Sequence, residues 1–212
     1  MIPVDPINMV CFSCAAPTRG RLCDRCARSL RPAPERLLAG GIRLVAAFEH
    51  AGPARVLVHH LKYKGVTPVA DLVAEVLADR VPRLPLVPVP RALSRRLKYG
   101  IDPAREIAGA LAGRIGVPVI DALVPRIHTP RRAGRDHSRS VLPFHTRSSL
   151  RSPVMVVDDV ITTGTTVLAA VAALGPDMAR AVVAANVVLG VSNVAAVVTS
   201  PEPGVDRVWQ PF

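Results

Sequence analysis

The chain has 212 residues, half of them hydrophobic, which is enough for one good-sized core and a small appendage. Only 3% of residues are aromatic, so the core must be built from Val, Ala and Leu, and 21 prolines interrupt it often. A formal charge of +11, carried almost wholly by arginine, points to anionic partners such as a pyrophosphorylated substrate or a nucleic acid. No stretch reaches the ~20 uninterrupted apolar residues of a membrane span. Met1 to Val10 lacks the basic start and apolar run of a secretory signal. The expectation is a cytoplasmic protein without membrane contact.

All four cysteines lie near the start, as Cys11-x-x-Cys14, eight residues, then Cys23-x-x-Cys26. Two such knuckles predict a structural tetrathiolate zinc site in a small ribbon-like module over residues 1–33. A pair of disulfides is the alternative, disfavoured in a reducing compartment. A closed four-cysteine site leaves no open position for substrate. Arg19, Arg21, Arg25, Arg28 and Arg31 make the module basic, either as solvated charges or as a nucleic-acid contact.

Arg31-Pro32-Ala33-Pro34 reads as a linker into a second domain over residues 34–212. Ile42 to Glu49 predicts a strand and Gly52 to Tyr63 a helix that ends in Lys62, Lys64 and Gly65. His59 and His60, adjacent on that helix, match no metal-ligand spacing and read as surface or core residues. Thr67 to Arg80 predicts another helix. Leu84 to Pro90 is a strand so rich in proline that it belongs at a sheet edge. The cations Arg91, Arg95, Arg96 and Lys98 follow in what reads as a loop. Asp102-Pro103 then starts a helix, cap and first position, that runs to about Ile115. A strand followed by a cationic loop and a helix is suited to holding a diphosphate at the sheet edge, with Lys62 as a further candidate.

Arg126 to Ser140 is the most basic segment and carries few core-forming residues, so it is a functional or a solvated loop. Val154 to Val157 reads as a strand buried on both faces, with Asp158 and Asp159 at its carboxyl end. Thr165 to Leu174, stopped by Gly175-Pro176, is the following helix. Thr162, Thr163, Gly164, Thr165 and Thr166 thus lie at a helix N-terminus, where unpaired amides and the helix dipole favour a phosphate. Two acids beside that cradle would repel the phosphate itself, but they suit the hydroxyls of a sugar, or water on a Mg²⁺ ion. Ala179 to Thr199 reads as two short strands, or as a strand and a turn. Pro201 to Phe212 suggests no chemistry.

Val-Val-Asp-Asp-Val-Ile-Thr-Thr-Gly-Thr-Thr resembles the phosphoribosyl pyrophosphate (PRPP) motif of type I phosphoribosyltransferases. The resemblance implies that Asp158 and Asp159 bind the ribose hydroxyls, that residues 162–166 bind the 5′-phosphate, and that Mg²⁺ accompanies PRPP. Hypoxanthine-type members carry an acid where this chain has Thr162, so a loop carboxylate cannot be the general base here. The order of four features, the four-cysteine module, Leu-Lys-Tyr-Lys-Gly, Val-Pro-Val-Pro and the PRPP motif, is similar to the ComF family. These are amidophosphoribosyltransferase-like proteins associated with bacterial DNA uptake.

The ComF resemblance implies an α/β fold with a mostly parallel sheet flanked by helices, and a transfer of phosphoribosyl to a nitrogen acceptor. The alternative is a non-catalytic PRPP sensor or an accessory that binds single-stranded DNA or a DNA-uptake helicase. Where the family has Arg-Gly-Phe-Asn-Gln this chain has Tyr99-Gly100-Ile101-Asp102-Pro103, leaving Arg95, Arg96 or Lys98 to replace the lost arginine. Type I enzymes close a flexible loop over PRPP. Its counterpart here is the basic segment, with Arg131, Arg132 and Arg135 as lid candidates, although single-strand contact remains the other use of that loop.

Overall fold

The computed structural model describes residues 9–125, 144–147, 149–175, 177–188 and 194–197. The basic segment with Arg131, Arg132 and Arg135 lies outside the described residues, as does the end of the chain from Pro201.

The first module pairs β1 (Met9–Val10) with β2 (Pro17–Thr18) and adds the short helix α1 (Asp24–Arg28). β3 (Arg36–Leu38) and β4 (Ile42–Glu49) form an antiparallel hairpin through Gly40 and Gly41, both at positive φ. Helices α2 (Gly52–Lys64) and α3 (Pro68–Leu77) follow, and a 3₁₀ turn over Ala78–Arg80 ends the second. Next come β5 (Leu86–Pro88), α4 (Leu93–Tyr99), α5 (Pro103–Ile115), β6 (Leu123–Pro125) and β7 (Phe144–Thr146). The chain then forms β8 (Val154–Ile161), α6 (Thr165–Leu174), β9 (Ala179–Val187) and β10 (Val194–Val197).

The main sheet has six strands in the order β10-β3-β4-β9-β8-β5. The pairings β4–β9, β9–β8 and β8–β5 are parallel, and β3 and β10 extend the sheet by antiparallel pairing. Both faces are covered, so the central strands are apolar without alternation. Val45, Ala47, Met155, Val157, Ala181 and Val183 pack with α2, α3 and α5. Their sequence neighbours Leu44, Ala46, Val154, Val156 and Val182 pack on the other face with α6 and the β6–β7 hairpin. Each Val, Leu or Met among them, removed from water, stabilises the fold by roughly 1.5–3 kcal/mol, and each Ala by less.

Several sequence expectations are corrected. The linker is not a free spacer: Pro32 bridges Phe48, and the Ala33 N–H donates to the Ala47 carbonyl at 3.2 Å, so this stretch lies along β4. The helix expected over 67–80 is α-helical only to Leu77. The cationic loop after β5 is mostly the helix α4, because Leu93 to Tyr99 are good helix formers bounded by Pro90 and Gly100. β8 does not stop at Val157. It runs through both acids to Ile161, because Asp158 and Val160 pair with Ala184 and Asn186 of β9.

The cysteine module is packed into the main core. Cys11, Leu22, Cys26, Ala27 and Leu30 share one buried cluster with Leu57, Leu61 and Leu72 of α2 and α3. His60 Nδ1 lies 2.7 Å from the Phe12 carbonyl oxygen and Arg21 pairs with Glu75 at 3.0 Å, two polar ties across the same junction. No helix among the described residues is long and apolar enough to cross a membrane.

Candidate functional site

Parallel strands end together, and ligands of open α/β sheets bind beyond their carboxyl ends. Here the ends of β4, β5 and β8 open into a cavity of about 510 Å³, one wall of which is α2. Asp158, Asp159, Thr162 and Thr166 line it from β8 and the turn into α6; Arg55, His59 and Lys62 line it from α2. The spacing of those three places them along one side of the helix.

The turn after β8 is tight. Gly164, the N-cap of α6, has φ 75°, and a Cβ there would stand 3.3 Å from Leu38 Cδ2. The Thr163 and Thr165 hydroxyls are 2.9 Å apart, a hydrogen bond that rigidifies the loop around the first amides of α6. Those two side chains bond to each other and do not line the cavity, whereas Thr162 and Thr166 do. Gly164→Ala combines a left-handed backbone with that close approach, and is expected to cost about 1–3 kcal/mol in urea denaturation.

The acids are held differently. Asp159 pairs with Lys62, Nζ to Oδ1 at 2.8 Å, and its own N–H donates to Asp158 Oδ1 at 2.8 Å. Burial and then the neighbouring charge of Asp159 push the Asp158 carboxyl up from 3.8 to about 8, against the pull of that amide and of Lys62. The folded protein therefore holds a proton that the unfolded chain has lost. Between those two values the unfolded state binds fewer protons, so stability falls as pH rises. The Asp158 contribution favours pH 5 over pH 8 by up to about a few kcal/mol, so Asp158→Asn should gain stability relative to wild type as pH rises from 5 to 8 in urea titrations.

The cation candidates divide. Lys62, Arg91 and Arg95 line the cavity. The Arg91 guanidinium donates to the Lys62 and Ile101 carbonyls at 2.9 and 3.1 Å and lies over the Tyr63 and Tyr99 rings, so it is already engaged. Arg96 and Lys98 do not line this cavity. Arg96 faces a neighbouring depression under β6–β7, and the Lys98 ammonium lies over Tyr99.

Asp102 also departs from expectation. It makes no side-chain cap to α5. Its Oδ2 accepts the Arg91 N–H at 3.1 Å, and Oδ1 is buried without a hydrogen-bond partner beside the cavity. Asp102, His50, Arg55 and His59 are lining residues that sequence reasoning did not select. The available signal was position for His50, one residue past β4, and helical spacing from Lys62 for Arg55 and His59.

The ligand atoms of Cys11, Cys14, Cys23 and Cys26 all lie within 4.8 Å of one another, and among the described residues this is the group that could hold a metal ion such as zinc. The Cys14 and Cys23 sulfurs are 3.7 Å apart. Tetrahedral metal–sulfur bonds of ~2.3 Å put sulfurs ~3.8 Å apart, so the spacing fits. Burial raises the Cys11 thiol, but backbone donors from Cys14, Cys23 and Ser13 outweigh it and bring the value down to about 6. Burial and the neighbouring thiols push Cys26 up to about 12. If all four sulfurs were thiolates, a cation between them would offset their mutual repulsion.

The chain matches no family model. No curated protein matches it either.

Proposed function

We propose that the cavity binds PRPP and that the protein is a phosphoribosyltransferase, moving ribose 5-phosphate to a nitrogen acceptor. The observation that carries this is the adjacency of Asp158 and Asp159 to the Thr162–Thr166 turn along one cavity wall. The acids suit the two ribose hydroxyls, and the α6 amides with the Thr162 and Thr166 hydroxyls suit the 5′-phosphate. Arg55, Lys62 and Arg95 are lining cations that suit a diphosphate. The reaction breaks the bond from C1 of the ribose to pyrophosphate, forms a C1–N bond, and releases the acceptor's proton. Asp158 and Asp159 would hold a Mg²⁺ ion through its water, and that ion would supply charge to offset the leaving diphosphate, while the protein positions the charges. The four-cysteine cluster carries a structural zinc ion remote from this chemistry.

A second function, ligand sensing without turnover in a DNA-uptake accessory, is favoured by one feature. Arg91 is engaged with carbonyls and aromatic rings, and Tyr99 stands where ComF proteins carry an arginine. Calorimetric titration of PRPP with Mg²⁺ into zinc-analysed protein, followed by a pyrophosphate-release screen, tests the transferase assignment. Micromolar binding with release supports it. Binding without release, together with salt-sensitive affinity for single-stranded DNA, supports the accessory. Absence of PRPP binding overturns both uses of the pocket.

A further inference from the structure

At the β4 end of the cavity, the lining residue His50 is backed by a buried polar side chain, Asn186. Asn186, 1% exposed, sits near the end of β9 between β4 and β8. Its Nδ2 donates to the Ala54 carbonyl at 2.9 Å and lies 3.1 Å from His50 Nδ1. The carbonyl of Ala54 decides which way the amide points, because turning it would set two oxygens against each other. Nδ2 therefore faces both neighbours, and each receives one of its two hydrogens.

A nitrogen that receives a hydrogen bond carries no proton of its own. His50 Nδ1 is thus the bare nitrogen, and the ring proton of the neutral imidazole resides on Nε2. The ring is fixed further by its backbone, whose N–H donates to the Val187 carbonyl at 2.8 Å. Burial and the charges of Lys62 and Arg55 hold the ring below its ordinary value, so it stays neutral, against the opposing charge of Asp159. With Nδ1 turned to buried Asn186 and the ring lining the cavity, Nε2–H is the group that a ligand can meet.

Sheet order says which part of a ligand that is. The phosphate cradle follows β8, and the Arg91 and Arg95 edge follows β5; His50 follows β4, on the opposite side of β8. Strand spacing of ~4.8 Å puts it about two strands from the phosphate cradle and about three from the β5 edge. If the pentose spans β8 and β5, the β4 side belongs to the acceptor.

We propose that Asn186 locks His50 as a hydrogen-bond donor at the acceptor end of the cavity, so that the acceptor presents an oxygen, from a carbonyl or a carboxylate, to Nε2–H. The same lock prevents His50 from serving as the base that takes the acceptor's proton, since its cavity-facing nitrogen is already protonated. The position of the acceptor rests on the transferase assignment; the state of the ring does not.

The test uses full-length, zinc-loaded protein labelled with ¹⁵N at histidine. At neutral pH, two-bond proton–nitrogen spectra of His50 are expected to show Nδ1 unprotonated and Nε2 protonated, and Asn186→Asp, whose carboxylate accepts a proton, to reverse them. His50→Gln and His50→Phe, which leave the buried β9 position untouched, serve if that variant does not fold. Gln keeps an N–H and should hold acceptor affinity within about threefold, while Phe should lose roughly tenfold. In the pyrophosphate-release screen hypoxanthine, uracil and orotate should outperform adenine and ammonia. A protonated Nδ1 in wild type, equal affinities in the Gln and Phe variants, or a preference for adenine or ammonia overturns the proposal. Failure of PRPP to bind, with the nitrogen signals as expected, overturns the transferase assignment and leaves the donor state of His50 standing.

Discussion

Replacing Asp158 and Asp159 together by asparagine should reduce affinity for PRPP with Mg²⁺ at least ~100-fold while leaving the protein folded. Above pH 8, where Asp158 is ionised, each hydrogen bond to a charged carboxylate is worth about 1.5–3 kcal/mol, so two of them correspond to roughly two to four decades of affinity. Asparagine keeps the shape of each side chain, and its amide oxygen still accepts, but the charge that strengthens the contact to a sugar hydroxyl is gone. Stability should move the other way at alkaline pH, because Asp158 no longer has to be ionised beside Asp159 in a buried position. Loss of the Lys62 ion pair, whose partners are 24% and 16% exposed, offsets part of that gain. Calorimetry reads the first effect and urea denaturation at pH 8 the second. Unchanged PRPP affinity in a folded double variant would remove the carboxylates from the site, and with them the sugar-phosphate assignment.

The second large effect concerns the cysteines. Cys26→Ser, or removal of metal by a chelator, should lower the melting temperature by ~10 °C or more. Structural zinc binding in small modules is worth ~10–16 kcal/mol, and a loss of a few kcal/mol already moves a domain of this size by several degrees. The effect should reach beyond the module, because Cys11, Leu22, Cys26, Ala27 and Leu30 are buried together with α2 and α3. Calorimetric melting with parallel metal analysis checks it. One zinc per chain in wild type and less than a tenth of that in Cys26→Ser is the expected content. A chelated protein that melts at the wild-type temperature would make the cluster incidental to the fold.

The long elements were legible because their residues obey one local rule each. Ile42–Glu49 and Thr165–Leu174 stand at the residues read from the sequence, and the tight turn after β8 has Gly164 at positive φ. The elements that were missed depend on partners distant in the chain. β3 is three residues long and exists because β4 and β10 flank it. β8 continues through two acids because β9 supplies its hydrogen bonds, which a hydropathy pattern does not register.

For the site, residue type and spacing picked out Asp158 and Asp159, which line the cavity, and the four cysteines, whose sulfurs converge. It was not enough for the arginines. Arg91, Arg95, Arg96 and Lys98 are alike in sequence, and α4 sorts them: two line the cavity, one faces a second depression and one lies over a tyrosine. Asp102 stands at the N-cap of α5 as the sequence reads, but its side chain accepts the Arg91 amide instead of capping the helix, because the chain turns back on itself between β5 and α5.

Helix α2 is a party wall. Leu57 and Leu61 belong to the cluster shared with the cysteine module, while Arg55, His59 and Lys62 of the same helix face the cavity. What disturbs one side of the helix should be felt on the other, so loss of metal from the cysteine cluster is expected to weaken PRPP binding at the cavity, a drop that titrating chelated and metal-loaded protein would read. Affinities from different batches are comparable only at equal metal content.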